Sequence, residues 1–427
     1  MVSDTAMALR VADPQRDGQR AARSILRGIL FATLTVCVVV PHSFQIATFL
    51  LIALSTAVSL PLLRRDPWLD RVLLTYMVGA LITAIFLGIG AANGASRLAT
   101  NQTLLVYVIS PLMWMLIATT ICQLYGIERF TRILIGLTWA CVATVALFFY
   151  LFLTIGKSAV AFLTEDANVN VSGGFAGATI LVYGSLIFLS GGLFAQPFLL
   201  RRAKWRLTLL TLLVLVALTS GRSALILSIP AGLLVGIVAR GRQRAQDRVA
   251  TDKSIVLPLI GLALIAGAAL VLMNIFVFEI DLGVVLGEFI DELLSGGGSV
   301  RSEQAAALWD GVFASGGLGV GHGVGVDYIR NTDYPWRYEV IPLATMLRVG
   351  VLGTLVYMST FLLYGSRFLA RYRQRDLLPE DVYMVGGFIA VSLAAFTNPY
   401  IESFIFQWMY FLPVMSIAVK PLFARDG

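Results

Sequence analysis

The feature that most constrains this chain is a succession of apolar runs, each close to the length that crosses a lipid bilayer. The 427 residues are 58% hydrophobic and 13% charged, whereas a soluble domain is about 25% charged. A spanning helix needs roughly 20 mostly apolar residues. The sequence therefore predicts an all-α polytopic membrane protein with about 12 transmembrane helices. The runs lie at residues 28–41, 44–62, 70–92, 103–122, 130–155, 174–199, 205–219, 223–239, 255–279, 341–364, 382–397 and 404–420.

The distribution of positive charge predicts how the chain is oriented. Clusters of lysine and arginine, such as Arg64 with Arg65, residues 201–206 and residues 367–375, occur in alternate connections between the apolar runs. This pattern is typical of cytoplasmic loops. We therefore expect a multi-pass membrane protein with both termini in the cytoplasm. The net charge of +7 then reflects topology and contacts with anionic membrane lipids, and nucleic acid is not expected as a partner.

One connection differs from the others in its length and its glycine content. Residues 281–338 are predicted to form a long extracytoplasmic loop that includes the run GGLGVGHGVG at 316–325. Binding and catalytic residues are often placed on such loops. The predicted organisation is a cytoplasmic tail at 1–27, helices one to nine at 28–280, this loop with part of the active site, and helices ten to twelve with a short cytoplasmic tail at 339–427.

Arginines on the predicted outer face are exceptions to the positive-inside pattern and indicate an anionic substrate. Arg222 lies at the tip TSGRSAL between two short apolar runs. The start of the following helix offers unpaired backbone N–H groups, with Ser220 as a cap, so this position suits a phosphate. The alternative is an arginine that reaches lipid headgroups. The other outer arginines are Arg97, Arg301, Arg330 and Arg337.

Arg301 opens the amphipathic segment RSEQAAALWDGVF. The apolar positions Ala305, Leu308, Trp309 and Val312 fall on one helical face. This pattern predicts a helix that lies on the membrane surface or covers a cavity. Arg301, in its first turn, then either reaches a phosphate or ends in solvent.

His322 stands in the centre of the glycine-rich run, between Gly321 and Gly323. The run is neither a dinucleotide fingerprint nor a P-loop, because no βαβ unit surrounds it and no Gly-Lys-Ser/Thr follows. Glycine at this density allows the backbone to approach a ligand closely. We expect His322 either to contact a phosphate or a sugar hydroxyl, or to be a surface-turn histidine.

Two ionisable residues belong to the predicted tenth helix. Glu339, at its start, is placed either to act as a general base or to interact favourably with the helix dipole. Arg348 lies nine residues later, about 13 Å deeper by helical rise. A charge at that depth needs a partner from another helix or a substrate, and both alternatives stay open.

The sequence offers little material for a metal site or a disulfide. All three cysteines lie in apolar runs, and the chain has two histidines. Neither residue type shows the spacing of a zinc site or of a disulfide framework. We therefore expect no cofactor and metal-independent chemistry.

These motifs and their order resemble the bacterial O-antigen ligase and O-antigen (Wzy-type) polymerase superfamily. The similar parts are TSGRSALIL at 219–227, the long late loop with its glycine-rich run, and Gly350 to Gly353, which is similar to the family's G-L-L-G. The resemblance covers roughly residues 170–365. The family usually has a histidine at the position of Glu339, and this departure favours the polymerase branch over the ligase branch.

A second departure lies in VSGGFAGATI, residues 171–180, which lacks the arginine that the family often has shortly before this segment. Arg97, Arg301 or Arg337 is then left to supply that charge. By resemblance, Arg222, Arg301 and Glu339 are the expected catalytic residues. The expected substrate-binding residues are His322, Arg97, Arg337, Arg348, Gly321 and Gly323.

The resemblance implies a glycosyltransferase that polymerises repeat units of a surface or exopolysaccharide. The implied partners are an undecaprenyl-diphosphate-linked glycan, an acceptor glycan, membrane lipids and a chain-length regulator protein. An O-antigen ligase that transfers glycan to lipid A core is the first alternative. A transporter or flippase of lipid-linked sugars is the second, and would be expected to show inverted repeats and broken helices. A structural or sensory membrane protein is the third.

Overall fold

The chain folds as a helical membrane protein. The computed structural model describes residues 14–41, 43–163, 168–172, 175–244 and 299–419, with single positions at 267, 283, 284, 287 and 290. Five described helical stretches are long and apolar enough to cross a membrane: Gln45–Leu62, Pro67–Ala92, Arg97–Thr154, Ser223–Arg240 and Ile341–Gln374. Shorter apolar helices cover Ser24–Val39 and Val182–Ala195. The predicted ninth span, the N-terminal 13 residues and most of 281–298 lie outside the described residues, so the count of twelve stays a prediction.

The first five helices end in one long, interrupted stretch. They are α1 (Pro14–Val39), α2 (Gln45–Ser59), α3 (Pro67–Ala92), α4 (Arg97–Thr103) and α5 (Ser110–Thr154). A π-helical turn at Leu104–Ile109 joins α4 to α5. Gly126, at φ 70°, divides α5, which separates the fourth predicted run from the fifth.

The π-helical turn disturbs the regular backbone ladder, and side chains from other elements bond the carbonyl groups in it. Gln407 Nε2 donates to the Val106 carbonyl at 2.7 Å, and the Tyr76 hydroxyl donates to the Val108 carbonyl at 2.8 Å. Irregular backbone in a membrane protein needs such partners, because lipid offers none. The turn therefore holds Tyr107, which lies between these two carbonyl groups in sequence, on a well-anchored backbone.

A small antiparallel hairpin is the exception to the helical fold. Strands β1 (Asn168–Ser172) and β2 (Phe175–Thr179) pair where the sequence predicted a loop followed by a helix from residue 174. That boundary is wrong, because Val169 and Val171 alternate with polar residues at the period of a strand. Helix α6 begins only at Val182 and ends at Ala195. The Ala178 amide donates to the Ser220 carbonyl at 3.3 Å, which joins the hairpin to the Arg222 tip.

The remaining helices complete the described fold. They are α7 (Ala203–Leu218), α8 (Ser223–Arg240), α9 (Ser299–Ala314), α10 (Ile341–Gln374), α11 (Pro379–Ala394) and α12 (Trp408–Ser416). A single 3₁₀ turn, Tyr400–Glu402, lies between α11 and α12. Glu339 lies two residues before α10, close to the helix start that the sequence predicted.

Helices α6, α8 and α11 pack backbone to backbone. A Cβ atom added at Gly232 of α8 would lie 2.3 Å from the Gly191 carbonyl oxygen of α6. A Cβ atom added at Gly387 of α11 would lie 2.7 Å from the Phe188 carbonyl oxygen. Small residues allow this close approach, which drives helix association in membranes where the hydrophobic effect between helices is weak.

Helix α9 packs on the start of α10 through a second, smaller core. Leu308 and Val312 are buried there with Tyr338, Ala344 and Leu347. Trp309 does not share this face: it is 42% exposed and its ring stacks on that of Phe313 at 5.4 Å. The predicted apolar face was therefore wrong at Trp309, because the face buried against α10 is narrower than the apolar arc of the helix.

Candidate functional site

A cluster of two arginines and one glutamate forms where α9 meets the approach to α10. We call Arg301, Arg330 and Glu339 the arginine–glutamate cluster. Arg301 Nε donates to Glu339 Oε2 at 2.8 Å, and Arg330 forms an ion pair with Glu339 Oε1. Gln304 Oε1 accepts from the backbone amides of Glu339 at 2.8 Å and Val340 at 3.1 Å, which fixes this segment against α9. Both oxygens of the Glu339 carboxylate are thus held by guanidinium groups.

Arg222 approaches the same cluster through Tyr400. Burial raises the pKa of the Tyr400 phenol. The positive charges of Arg222 and Arg301 lower this pKa, and the negative charge of Glu339 raises it. The three residues that the sequence predicted as catalytic therefore act electrostatically on one phenol. The guanidinium of Arg222 is half-buried and makes no ion pair or hydrogen bond within the part of the chain that the structure describes.

Arg222 is also the N-cap residue of α8, as its position at the helix junction predicted. Ser220 was expected to cap α8, and it does not. Its Oγ accepts from the Arg222 backbone amide at 3.0 Å, before the first turn of the helix. The first amides of this 18-residue helix therefore lie beside a guanidinium group that has no ion pair or hydrogen bond among the described residues. Such an arrangement favours an anion.

Arg348 is buried and paired with Glu402, which comes from the 3₁₀ turn before α12. Arg348 Nη1 also donates to the Tyr107 hydroxyl at 3.0 Å, and Nη2 donates to the Trp336 carbonyl at 2.8 Å. The Tyr107 hydroxyl donates to Glu402 Oε1 at 2.5 Å. The sequence predicted a partner from another element, and the buried pair of Arg348 and Glu402 supplies it. Pairing is what makes a buried charge tolerable in low dielectric.

A small cavity of about 20 Å³, room for roughly one water molecule, lies at the buried pair. Three of the residues predicted to bind substrate, Gly323, Arg337 and Arg348, line it with Glu402. The other lining residues are Gln102, Thr103, Val106, Tyr107 and Trp336.

The interior position of His322 shows that the surface-turn alternative is wrong, and its contact with a phosphate or a sugar hydroxyl stays a prediction. It is neither a surface histidine nor a residue of the cavity lining, but is buried with Nε2 at 2.9 Å from the Tyr357 hydroxyl. Its ring centroid lies 5.0 Å from that of Tyr107. Burial, followed by the charge of Arg348, lowers the pKa of His322 to about 3, so the imidazole is neutral at physiological pH.

The backbone of the glycine-rich run is hydrogen-bonded to α10. The Val320 and Gly321 amides donate to the Leu347 and Arg348 carbonyls at 2.8 and 2.9 Å. A Cβ atom added at Gly321 would lie 2.2 Å from the Gly90 amide nitrogen, and one at Gly323 would lie 2.6 Å from the Ala99 Cβ. Close packing therefore explains why glycine occupies both positions. Contact of these glycines with substrate stays a prediction.

The remaining predicted arginines are at the periphery. Arg337 is exposed at the cavity with its guanidinium carbon 5.0 Å from the centroid of the Tyr334 ring. Arg97 is exposed in the first turn of α4 and lines neither the cavity nor the arginine–glutamate cluster among the described residues. Sequence reasoning had not selected Glu402, Tyr107 or Tyr400. One signal in the sequence could have identified Glu402. It is an acidic residue beside an apolar run, and an arginine within the membrane needs an acidic counter-charge.

Among the described residues, no group of three or more His, Cys, Asp or Glu side chains is arranged to hold a metal ion. The three cysteines are buried as free thiols. Metal-independent chemistry stays a prediction.

The fold and the site together define a helical membrane protein with a buried ion pair, a cavity and a neighbouring group of arginines at one end of its helices. Comparison with known protein families and with curated proteins gives no match to this chain.

Proposed function

We propose that the protein is a membrane-embedded glycosyltransferase that acts on undecaprenyl-diphosphate-linked glycan and polymerises repeat units of a surface or exopolysaccharide. The observation that supports the proposal is the arginine–glutamate cluster, in which Arg301 and Arg330 hold Glu339, with Arg222 near enough to act electrostatically on the same Tyr400 phenol. We place the site on the outer face of the bacterial inner membrane, in a protein of twelve spans with cytoplasmic termini. A chain-length regulator protein is a proposed partner.

In this reaction an acceptor sugar hydroxyl attacks the anomeric carbon of the donor glycan, and the bond to the lipid diphosphate breaks. Negative charge grows on the leaving diphosphate, so preorganised cations lower the barrier. Arg222, which has no ion pair or hydrogen bond among the described residues, meets this charge together with Arg301 and Arg330. Each guanidinium can make two parallel hydrogen bonds to a phosphate.

Glu339 then has a different role from the one that the sequence suggested. Its two oxygens are held by Arg301 and Arg330, so the carboxylate already engages the two guanidinium groups that would hold the diphosphate. We therefore propose that Glu339 positions the two arginines for the diphosphate.

The break in α10 at Gly350 favours the transporter alternative, because transporters bind substrate at discontinuous helices. Here the protein itself occupies the break: the Val351 amide donates to the Gly317 carbonyl at 3.0 Å. Broken backbone that is bonded to its own chain offers no vacant ligand groups at that point. We therefore rank transport second.

The test uses a strain deleted for the gene and complemented with wild type, Arg222→Ala or, as a matched control, Arg373→Ala, which changes an exposed arginine at the far end of α10. The glycan is sized on a gel. A polymerase gives loss of long chains with single repeats retained in Arg222→Ala and normal chains in the control. Polymer that stays on the lipid carrier without reaching lipid A core indicates a ligase. Normal glycan in the deletion strain overturns the proposed glycosyltransferase, and the flippase alternative with it, because surface glycan would need either activity.

A further inference from the structure

Helix α9 runs beside α10 and in the same direction. At the start of α9, Arg301 Nε donates to Glu339 Oε2, two residues before α10 begins. Just past the end of α9, the Gly317 carbonyl accepts from the Val351 amide of α10 at 3.0 Å. The end of α9 and the first part of the glycine-rich run therefore lie at the level of the break in α10.

This break lies near one surface of the hydrocarbon core. Residues 351–374 of α10 are about 36 Å long, enough to cross the roughly 30 Å of the core without the part before the break. Helix α3 ends at the same level, because Asn93, directly after its last residue, donates from Nδ2 to the Val320 carbonyl at 2.8 Å. In the proposed orientation the arginine-rich end of α10 is cytoplasmic, so the break and the glycine-rich run lie at the outer surface.

The polarity of the chain changes along this segment. Residues 299–310 carry three charged side chains, whereas residues 311–325 contain no aspartate, glutamate, lysine or arginine. Large apolar side chains are exposed in the second part: Phe313 is 74% exposed and Leu318 is 75% exposed. Trp309, one turn before Phe313, stacks its ring on that of Phe313 at 5.4 Å. We call Trp309, Phe313 and Leu318 the α9 apolar patch.

The α9 apolar patch continues the lipid-facing side of α10. Helix α10 is long and apolar enough to cross a membrane, and the side chains of Val351, Leu352 and Leu355 are exposed just after its break. Gly317 lies against this surface, since a Cβ atom added there would lie 3.5 Å from Val351 Cγ2. Leu318, the next residue, therefore extends an apolar surface that contacts lipid on α10.

The backbone of the glycine-rich run is bonded in a way that suits apolar surroundings. The Val320 and Gly321 amides donate to carbonyl groups of α10, and the His322 amide donates to the Phe86 carbonyl of α3 at 3.0 Å. Irregular backbone at membrane depth is tolerated where protein supplies its hydrogen bonds, because lipid supplies none. These bonds let the run lie within the membrane surface without exposing those amides to lipid.

From these observations we propose that the end of α9 and the glycine-rich run enter the outer leaflet, and that the α9 apolar patch contacts its lipids. Tryptophan is enriched at the membrane–water interface, and a helix with an apolar side and a polar side is typical of segments that lie there. Complementary charge usually gives a protein partner its specificity, and the patch carries no charge. The bilayer is therefore the occupant that fits this surface.

Lipid contact at the end of α9 fixes the height of the arginine–glutamate cluster above the membrane. Arg301 lies eight residues before Trp309 on the same helix, or about 12 Å along its axis. The polar start of α9 therefore stays on the water side, next to the lipid headgroups. Contact with lipid does not depend on the proposed transfer reaction, although a lipid-linked diphosphate would meet the cluster at this height.

The test places single spin labels in the full-length protein, reconstituted in vesicles of phosphatidylethanolamine and phosphatidylglycerol. Phe313→Cys and Leu318→Cys put the label in the α9 apolar patch. Ala306→Cys is the matched control, since it is exposed on the same helix, about two turns nearer to the polar start. Leu352→Cys, on the exposed side of α10, is the lipid reference. The native cysteines are buried and should take little label, and wild type measures that background.

Power saturation measures how often each label collides with oxygen, which concentrates in lipid, and with a neutral nickel chelate, which stays in water. The labels of Phe313→Cys and Leu318→Cys should collide mainly with oxygen, as that of Leu352→Cys does. The label of Ala306→Cys should collide mainly with the chelate. Patch labels that collide mainly with the chelate would overturn the proposal, because the patch would then face water.

A second copy of the chain is the alternative occupant, and it gives a different result. It would shield the patch from both reagents and bring two labels close together. Spectra are therefore compared for labelled protein alone and for labelled protein diluted with unlabelled protein. Low collision rates with both reagents, or dipolar broadening that disappears on dilution, would assign the patch to a protein interface and overturn lipid contact. Frequent oxygen collisions with spectra that do not change on dilution support it.

Discussion

At the scale of single residues, His322 couples the stability of the protein to pH. Its imidazole is buried between Tyr357 and Tyr107, and burial, with a further contribution from Arg348, lowers its pKa to about 3. The ordinary value of about 6.5 applies once the chain unfolds. The unfolded chain therefore binds a proton in a range where the folded protein does not.

This difference predicts acid sensitivity. The contribution of His322 to stability is fully present above pH 6.5 and is lost as the pH falls towards 3, by at most about 1.4 kcal/mol per pH unit. Melting temperatures in detergent at pH 7.5 and 5.0 measure it. His322→Gln, which keeps a hydrogen-bonding side chain and cannot titrate, should lose less stability than wild type over this interval. Equal losses in the two proteins would contradict the neutral, buried imidazole.

A second residue-scale prediction compares two glycines of α3. A Cβ atom added at Gly90 would lie 2.1 Å from the His322 carbonyl oxygen, whereas one at Gly88 meets nothing within 4 Å. Gly90→Ala should therefore destabilise the protein by about 1–3 kcal/mol through overpacking against backbone. Gly88→Ala should be neutral or slightly stabilising, because alanine is the better helix former. The two melting temperatures decide this, and equal values would remove the proposed close approach of the glycine-rich run.

The sequence predicted part of this site and could not predict the rest. Positive-inside exceptions selected Arg222 and Arg301, and helical rise showed that Arg348 needs a partner. That partner, Glu402, is 54 residues away, and Tyr107 is 241 residues away. No periodicity or spacing connects such distant positions, since their contact depends on how α10, the π-helical turn and the turn before α12 pack.

At the scale of elements, α10 has a backbone break that its hydrophobic pattern could not predict. The apolar run 341–364 predicted one regular helix, and the structure has a break at Gly350, with φ 69°. The backbone of the glycine-rich run bonds on both sides of this break. Hydrophobic periodicity indicates which face of a helix is apolar. A break whose backbone groups are bonded by another segment does not change that periodicity, so the sequence pattern could not show it.

The break predicts the effect of two matched glycine substitutions in α10. Gly350→Ala places a Cβ on a residue with positive φ, 2.5 Å from the Leu318 carbonyl oxygen. Left-handed backbone alone costs roughly 1–2 kcal/mol for a residue with a Cβ, and the close contact adds to it. Gly365→Ala, where the added atom meets nothing within 4 Å, is the control. A Gly350→Ala protein that melts with wild type would show that α10 runs through without a break.

At the scale of the whole molecule, the described helices place α9 and the last turn of α10 at opposite ends. Gln304 of α9 bonds the segment immediately before Ile341, and α10 then runs to Gln374. The part of α10 after the break at Gly350, residues 351–374, is about 36 Å long, more than the roughly 30 Å of a hydrocarbon core. Because arginines concentrate near the Gln374 end, the positive-inside bias predicts that this end is cytoplasmic and that α9 is extracytoplasmic.

Cysteine labelling tests that orientation directly, because the native Cys37, Cys122 and Cys141 are buried and should give little background. Ala306 of α9 and Arg373 of α10 are both exposed. With a membrane-impermeant maleimide that reaches the periplasm, Ala306→Cys should react in intact cells. Arg373→Cys should react only after the inner membrane is opened, because the bilayer separates it from the reagent. The reverse pattern would place the arginine–glutamate cluster in the cytoplasm and remove it from a lipid-linked donor on the outer leaflet.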